Sequence, residues 1–355
     1  MYYIKSILVI YFAVFIIPST FSQNLKAYQN TLDSLTQNLE FPRKNSFKNS
    51  VFLVENTFSN DTLGRLDFDQ KIEALASIAY TWVSFNPQSQ YKYSDSSNFL
   101  LNWAIYKLLK DTIKLQATLT EYYFTKPYTY DFNDFFGHSN WSNMFVTKLL
   151  ATHKGNCHSL PYLYKILADE LEATCWLSLA PNHMYIKNRC KKIGWYNTEL
   201  TSGEFPIDAW ITTSGYIPVK AVQTGIYMDT LSNQQAIALC VLDLAKGYEF
   251  QTKDYYDGFI LKCCDVVLQY HPVNVQAMLL KAETLKRIYE KQKADKNSEA
   301  AETYNQMEQL YIKMFDLGYR EMPEKMYMQW LRSVTEQKNK YGNIQLKETL
   351  KGKIK

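Results

Sequence analysis

Apolar residues recur at intervals of three and four over most of the first hundred positions, a spacing typical of amphipathic helices. The clearest stretches are residues 25–39, 67–85 and 96–113. Acidic or serine residues precede the second and third stretches, where they can cap a helix. The pattern therefore predicts a helical N-terminal region.

The periodicity stops in residues 124–140, an aromatic segment that predicts a long loop. Long ordered loops in compact domains usually carry function, so we expect this one to lie near a site. A short helix is predicted over residues 141–154, and it ends before Gly155. The next stretch, KGNCHSLPYLYKILADELEA, predicts a second helix with Cys157 at its start.

The apolar period then changes from the helical to the strand type. Short aromatic and β-branched runs predict three antiparallel strands around residues 174–180, 183–188 and 193–200. A helix followed by a small antiparallel sheet indicates an α+β domain.

Helical periodicity returns near residue 229 and continues to about residue 345. Two helix pairs follow each other at a repeat of roughly 40 residues, which resembles tetratricopeptide repeats. An unrelated helical bundle is the alternative. Residues 323–338 predict a further helix that caps the array. The resemblance implies a surface that binds a peptide or protein partner.

The first 22 residues differ from the rest of the chain. Lys5 precedes an uninterrupted apolar run at residues 7–17, and Pro18 and small residues follow. This is the layout of a secretory signal peptide, and the run is shorter than the roughly 20 residues that span a bilayer. We expect a protein exported to the periplasm or secreted, with no membrane span after cleavage.

Composition narrows the function classes. Hydrophobic residues make up 46% of the 355 positions, charged residues 21%, and the net charge is +4. These values indicate a globular protein and argue against nucleic-acid binding. Only the last ten residues, 346–355, are distinctly basic.

Six cysteines allow 15 complete pairings, and the sequence does not choose among them. Three of them, Cys240, Cys263 and Cys264, lie on apolar helical patterns and are expected to be buried thiols. A disulfide between Cys175 and Cys190 is one option.

Cys157, His183 and Glu199 form the constellation that carries chemistry. A helix N-terminus favours a thiolate, a neighbouring histidine can accept and return a proton, and an acid behind the histidine fixes its tautomer. His183 begins one predicted strand and Glu199 ends the next, so antiparallel pairing can bring the two side by side.

The segment from Trp141 to Thr201 resembles the transglutaminase-like superfamily, which has a papain-like core. The matching stretches are TKLLATHKGNCHSLPYLYKILADELEA, NHMYIKN and GWYNTELTSG. The resemblance implies Cys157 as nucleophile, His183 as base and acid, and Glu199 as the group that orients the histidine.

Several alternatives stay open around this constellation. Asn197 competes with Glu199 because both lie on one face of the strand, and Asp208 is a weaker third candidate. Asn140 and Trp141 are candidates for the border of the cleft or for a second oxyanion donor. A metal site that includes Cys157 is disfavoured, because Gly155 separates it from His153, and we expect neither metal nor cofactor.

Together these inferences predict a signal peptide (1–22), a transglutaminase-like domain (23–228, core 141–210), a tetratricopeptide-like helical domain (229–345) and a basic tail (346–355). The predicted function is thiol-dependent acyl transfer on peptide or protein amides through a Cys157 thioester. Hydrolysis would make a peptidase or amidase, and attack by an amine would make a crosslinking enzyme. A catalytically silent protein that binds peptide or protein is the alternative function.

Overall fold

A computed structural model describes residues 17–43, 46–86, 91–116 and 120–351. The apolar run of the predicted signal peptide lies almost entirely outside the described residues. The fold is mixed, with mostly helices and a few small sheets. That general class agrees with the α+β prediction.

The N-terminal region is helical, as the apolar periodicity predicts. The helices are α1 (Ile17–Glu40), α2 (Ser46–Phe58), α3 (Arg65–Phe85) and α4 (Ser96–Lys110). The predicted face of α1 is fully buried from Tyr28 onward, including Leu32 and Leu35, while Leu25 at its start is partly buried. This burial explains why residues of that type recur every three or four positions.

The predicted long loop contains short paired segments. Between α4 and Cys157 the elements are β1 (Lys114–Gln116), β2 (Tyr122–Phe124), β3 (Thr129–Tyr130), a 3-10 turn (Trp141–Met144), α5 (Val146–Thr152) and β4 (Lys154–Gly155). β3 pairs in parallel with β4, so Tyr130 lies opposite Gly155. The aromatic loop is thereby fixed beside the segment that leads to Cys157.

A helix and a three-stranded antiparallel sheet follow. They comprise α6 (Ser159–Glu170), β5 (Trp176–Ala180), β6 (His183–Cys190) and β7 (Gly194–Thr198). The strand order is β5-β6-β7, and α6 packs against β5 and β6. All three predicted strands are therefore confirmed, with ends shifted by at most two residues.

Helices make up the remainder of the described chain. They are α7 (Asp208–Ser214), α8 (Val219–Gln223), α9 (Asn233–Thr252), α10 (Phe259–Tyr270), α11 (Val275–Ala294), α12 (Ala300–Leu317), α13 (Glu324–Glu336), α14 (Lys338–Tyr341) and α15 (Ile344–Lys351). Successive helices from α9 to α12 pack against each other, as the predicted helix pairs require. α15 occupies the start of the predicted basic tail, where Leu346 is fully buried.

One hydrophobic cluster runs from Tyr28 through the sheet to Leu346. α9 packs against both α1 and α2, and the ring of Tyr28 lies 5.0 Å from that of Tyr248 on α9. The helices after residue 229 therefore share a core with the N-terminal region and form part of the surroundings of the sheet. Across the described ranges, no helix has the length and apolar character needed to span a membrane.

Candidate active site

Cys157 lies in a turn two residues before α6. The buried Asn156 side chain shapes this turn, because its Oδ1 accepts hydrogen bonds from the N–H groups of His158 and Ser159, both at 3.0 Å. Its Nδ2 donates to the carbonyl of Phe135 at 2.9 Å, which ties the turn to the aromatic loop. Asn156 therefore provides a hydrogen-bond acceptor for free N–H groups at the start of α6, and it holds Cys157 at that end of the helix.

The sheet register brings His183 and Glu199 together. Ile186 of β6 pairs with Thr198 of β7, so Glu199 follows the last pair and lies diagonally across from His183 on the same face. The Nε2 of His183 lies 2.5 Å from Oε2 of Glu199, and the two side chains are 0% and 3% exposed. The other carboxylate oxygen accepts the N–H of Thr201 at 2.7 Å.

Cys157 faces the opposite side of the imidazole. The Tyr327 hydroxyl contacts both groups, at 3.1 Å from Sγ of Cys157 and 3.2 Å from Nδ1 of His183, and only 8% of Cys157 is exposed. The structure thus brings the three predicted residues into the order thiol, imidazole, carboxylate. Because the three side chains lie close together in a buried site, the charge on each one affects the protonation of the other two.

The pKa shifts follow from this arrangement. Burial acts to raise the pKa of Cys157, but the hydrogen bond and charge of His183 and the Tyr327 hydroxyl together lower it below its usual value. Burial opposes charge on His183, yet Glu199 and Cys157 raise the pKa of its imidazole to about 10. Burial also disfavours the Glu199 carboxylate, but His183 keeps its pKa below the ordinary value. Each shift acts in favour of the charged form, which is thiolate for Cys157, imidazolium for His183 and carboxylate for Glu199.

Asn197 does not contact the histidine. Its Nδ2 donates to the carbonyl of Pro206 at 3.0 Å and to Oδ1 of Asp208 at 2.7 Å. Asp208 is used in that contact and lies 3.9 Å from the Lys187 amine. Glu199 is therefore the residue that contacts His183, whereas Asn197 and Asp208 contact each other.

The two candidates for the border of the cleft differ in position. Asn140 is exposed and caps the 3-10 turn, with its Oδ1 accepting the N–H of Ser142 at 3.1 Å. Trp141 lines the same cavity as Cys157, and its buried Nε1 has no hydrogen-bond partner within the described residues. Of the two, Trp141 is the residue with an unused donor beside the cleft.

The two histidines near Cys157 in sequence point to different partners. His153 stacks on Tyr128, with ring centroids 4.5 Å apart, and its Nδ1 lies 3.1 Å from the carbonyl of Lys126. His158 binds Asp243 of α9 through Nε2 at 3.1 Å. The described ranges contain no cluster of three or more His, Cys, Asp or Glu residues suited to a metal ion. Each of the six cysteines is a buried free thiol, including Cys175 and Cys190.

A cavity of about 660 Å³ opens beside Cys157 and His183. One wall is a face of α9, and the other consists of the aromatic loop and the start of β6. The principal lining side chains are Phe136, Trp141, Asp243, Lys246, Phe250 and Met322. This cavity connects the thiol to a surface built from both halves of the chain.

The most important residue that the sequence did not indicate is Tyr327 on α13. Its hydroxyl donates to Sγ of Cys157 at 3.1 Å and lies 3.2 Å from Nδ1 of His183. Trp330, one turn later, packs edge-on against the His183 ring with centroids 4.5 Å apart. No sequence signal links residue 327 to residue 157, because only folding brings them together. Asn156 did carry a signal, since asparagine before a helix is a common cap.

The chain was compared with protein families, curated proteins and solved structures. No family model, curated protein or solved structure matches it. The site's own chemistry is therefore the basis for assigning a function.

Proposed function

We propose that this protein is a thiol-dependent acyl-transfer enzyme that acts on peptide or protein amides, with a papain-like core of the transglutaminase type. The observation that carries the proposal is the buried line of Cys157, His183 and Glu199, with 2.5 Å between the imidazole and the carboxylate. A purely structural thiol gains nothing from a histidine and an acid placed in this order.

The three side chains have distinct roles in the proposed reaction. The Cys157 thiolate attacks the amide carbon, and the carbonyl π electrons move to oxygen to form a tetrahedral oxyanion. As the oxyanion collapses, the C–N bond breaks and the His183 imidazolium gives its proton to the leaving amine. A thioester and a neutral imidazole remain, while Glu199 holds the imidazole in the required orientation.

The second half-reaction resolves the thioester. Neutral His183 takes a proton from water or from an amine, and the oxygen or nitrogen attacks the thioester carbon. The C–S bond breaks and Cys157 leaves as thiolate, which restores the starting charge state. We favour water as the acceptor, because it is abundant and needs no binding site of its own, so the proposed outcome is hydrolysis.

The shape and lining of the cavity support a peptide-sized substrate. About 660 Å³ lies next to the thiol, a volume within the range of ligand sites, and its lining combines aromatic and aliphatic side chains with charged ones such as Asp243 and Lys246. The Nε1 of Trp141 has no hydrogen-bond partner within the described residues but is buried against α9, so it could serve as a donor to an acyl oxygen only after a shift of its side chain. We also propose that the protein is exported and that the helices after residue 229 contact a protein partner or a long substrate.

One observation favours a second function. Tyr327 is fully buried and fills the space between thiol and imidazole, so the described arrangement leaves little room for an acyl group at Sγ. A protein that only binds peptide along the cavity would tolerate this arrangement. The binding module is therefore the alternative that an experiment has to separate from the enzyme.

The separating experiment uses the wild-type protein and a Cys157→Ala variant. Limiting iodoacetamide is applied across pH, and the alkylated cysteine is mapped by mass spectrometry. The proposal expects selective labelling of Cys157 well below pH ~8.5, the value for an ordinary thiol. Labelling of Cys157 no faster than that of the buried Cys240 would sink the enzyme hypothesis. Casein with a labelled amine then tests hydrolysis against amine incorporation, and Cys157→Ala must abolish whichever is seen.

A further inference from the structure

His158, the residue after Cys157, is held by acceptors at both ring nitrogens. Its Nδ1 lies 3.0 Å from the carbonyl oxygen of Met144, and its Nε2 lies 3.1 Å from each carboxylate oxygen of Asp243. A carbonyl oxygen only accepts hydrogen bonds, so Nδ1 must carry a proton. The question is then whether Nε2 carries one as well.

The surroundings of Asp243 answer that question. The hydroxyl of Tyr162 donates to Oδ2 of Asp243 at 2.8 Å, and the Tyr162 ring lies against the His158 ring with centroids 4.1 Å apart. A carboxylate that accepts from a phenol is stabilised in its ionised form, and an ionised carboxylate can only accept from Nε2. Both ring nitrogens of His158 then donate, which is the hydrogen-bonding pattern of the imidazolium.

We propose that Asp243 of α9 is a positioning residue that keeps His158 as a fixed cation beside the nucleophile, so that the thiolate of Cys157 is stabilised from two sides. His183 supplies one positive charge and exchanges its proton during the reaction. His158 supplies a second charge that stays in place. The inference rests on the proposed function, because it assigns His158 and Asp243 to a nucleophilic thiol.

Other charged and titratable groups face this pair from the elements packed around it. Glu55 of α2 caps α5 through the N–H groups of Val146 and Thr147 at 2.7 and 2.9 Å, and its charge also acts on His158. On α9, Cys240 lies near Tyr162, and Lys246 is one turn beyond Asp243. Tyr130, Tyr327 and His183 surround the thiol itself, and Glu199 lies behind the imidazole.

The charges of these neighbours favour the cationic form of His158. Burial opposes charge on the imidazole, but the Asp243 carboxylate, its hydrogen bond and the Met144 carbonyl together raise its pKa above the ordinary value. Burial raises the pKa of Glu55 to about 7, so this carboxylate carries at most part of its charge in neutral solution. Among the described residues, Asp243 is thus the neighbour that both contacts Nε2 and compensates its charge.

The arrangement also gives α9 a role in catalysis. Asp243 and the Cys157 turn are 86 positions apart in the chain, and α9 reaches the turn because it packs on α2, which contacts α5. The helices after residue 229 then supply a charge that the nucleophile requires. A site assembled only from residues 141–210 would lack it.

The test compares Asp243→Asn with Glu249→Gln in the full chain. Glu249 lies on the same helix and lines the same cavity, but its Oε1 accepts from Tyr255, so it is matched in charge change and location. The measurement is the rate of Cys157 alkylation by iodoacetamide from pH 5 to pH 10. Asp243→Asn is expected to move the inflection upward and to slow labelling at pH 6 roughly three- to tenfold, while rates at pH 10 converge. Asp243→Glu should restore much of the wild-type profile, and Glu249→Gln should leave it unchanged.

A measurement on the wild type guards against a variant that misfolds. Ring nitrogen shifts of the five histidines, assigned for His158 with a His158→Gln variant, report its protonation directly. Two protonated nitrogens at pH 7.5 support the inference, and a neutral ring at that pH overturns it. The inference is also overturned if folded Asp243→Asn shows the same inflection of Cys157 alkylation against pH as the wild type. This holds even if Cys157 of the wild type is labelled selectively. Unselective labelling of the wild type would instead defeat the proposed function.

Discussion

The hydroxyl of Tyr327 lies 3.1 Å from the sulfur of Cys157, and it also lies 3.2 Å from Nδ1 of His183. One phenol therefore connects the nucleophile and the general acid–base of the proposed reaction. The residue belongs to α13, 170 positions after the cysteine. The C-terminal part of the chain consequently covers Cys157 and His183, and it also helps to lower the pKa of the Cys157 thiol.

We predict that Tyr327→Phe raises the pKa of the Cys157 thiol. The variant keeps the ring but removes a hydroxyl that donates to the thiolate, and hydrogen bonds to charged groups contribute about 1.5–3 kcal/mol. The inflection of alkylation against pH should move upward by roughly one unit. Tyr304→Phe, on a half-exposed tyrosine of α12, should leave the inflection in place. A downward shift in Tyr327→Phe would contradict the assigned role of the phenol.

Trp330→Ala should open the site. Trp330 stacks on Trp210 with centroids 5.5 Å apart, and its Nε1 donates to Oγ of Ser214 at 2.7 Å. Truncating a buried tryptophan costs about 3–5 kcal/mol of packing, which here weakens the contact of α13 with the sheet. We expect a higher limiting rate of Cys157 alkylation at alkaline pH. Cys240, which is 0% exposed, serves as the internal control, because equal acceleration there would indicate general unfolding.

Glu199→Gln should impair the proposed chemistry through His183. The amide removes the charge that stabilises the buried imidazolium, and it also offers a donor where an acceptor is needed. Turnover should fall by about 10²–10⁴, the usual contribution of acid–base catalysis. Asn197→Ser is the comparison, because Asn197 contacts Pro206 and Asp208 but not the histidine. Equal losses in the two variants would show that turnover follows the integrity of the sheet edge.

Stability in acid should depend on His271. Burial lowers the pKa of this histidine from 6.5 to about 4. Between these pH values the imidazole is therefore protonated in the unfolded chain and neutral in the folded protein. The stabilising contribution is complete above pH 6.5 and is lost as the pH falls towards 4, with a limit of about 3 kcal/mol. In His271→Asn, the free energy of unfolding by urea should vary less between pH 6.5 and 4 than in the wild type. An identical pH dependence would show that the histidine titrates normally.

The local elements followed from the sequence because their causes are local. The apolar residues of α1 recur with the helical period, and the strands β5, β6 and β7 alternate or run as short β-branched segments. A short turn joins β6 and β7, so the antiparallel register that brings His183 beside Glu199 could also be predicted. Asn197 stayed a competitor, since strand alternation places it on the same face as Glu199.

The tertiary structure alone decided what surrounds the thiol. Tyr327 and Asp243 reach Cys157 and His158 from helices 170 and 85 positions away, through packing of buried faces that look alike in sequence. Periodicity shows that a helix has an apolar face, but many partners can cover that face at similar cost. The sequence by itself therefore determined the helices, the small sheet, and Cys157 and His183 as candidate site residues, with Glu199 or Asn197 beside the histidine. Long-range packing decided that the Tyr327 phenol lies against the Cys157 thiol and that the Asp243 carboxylate of α9 contacts His158.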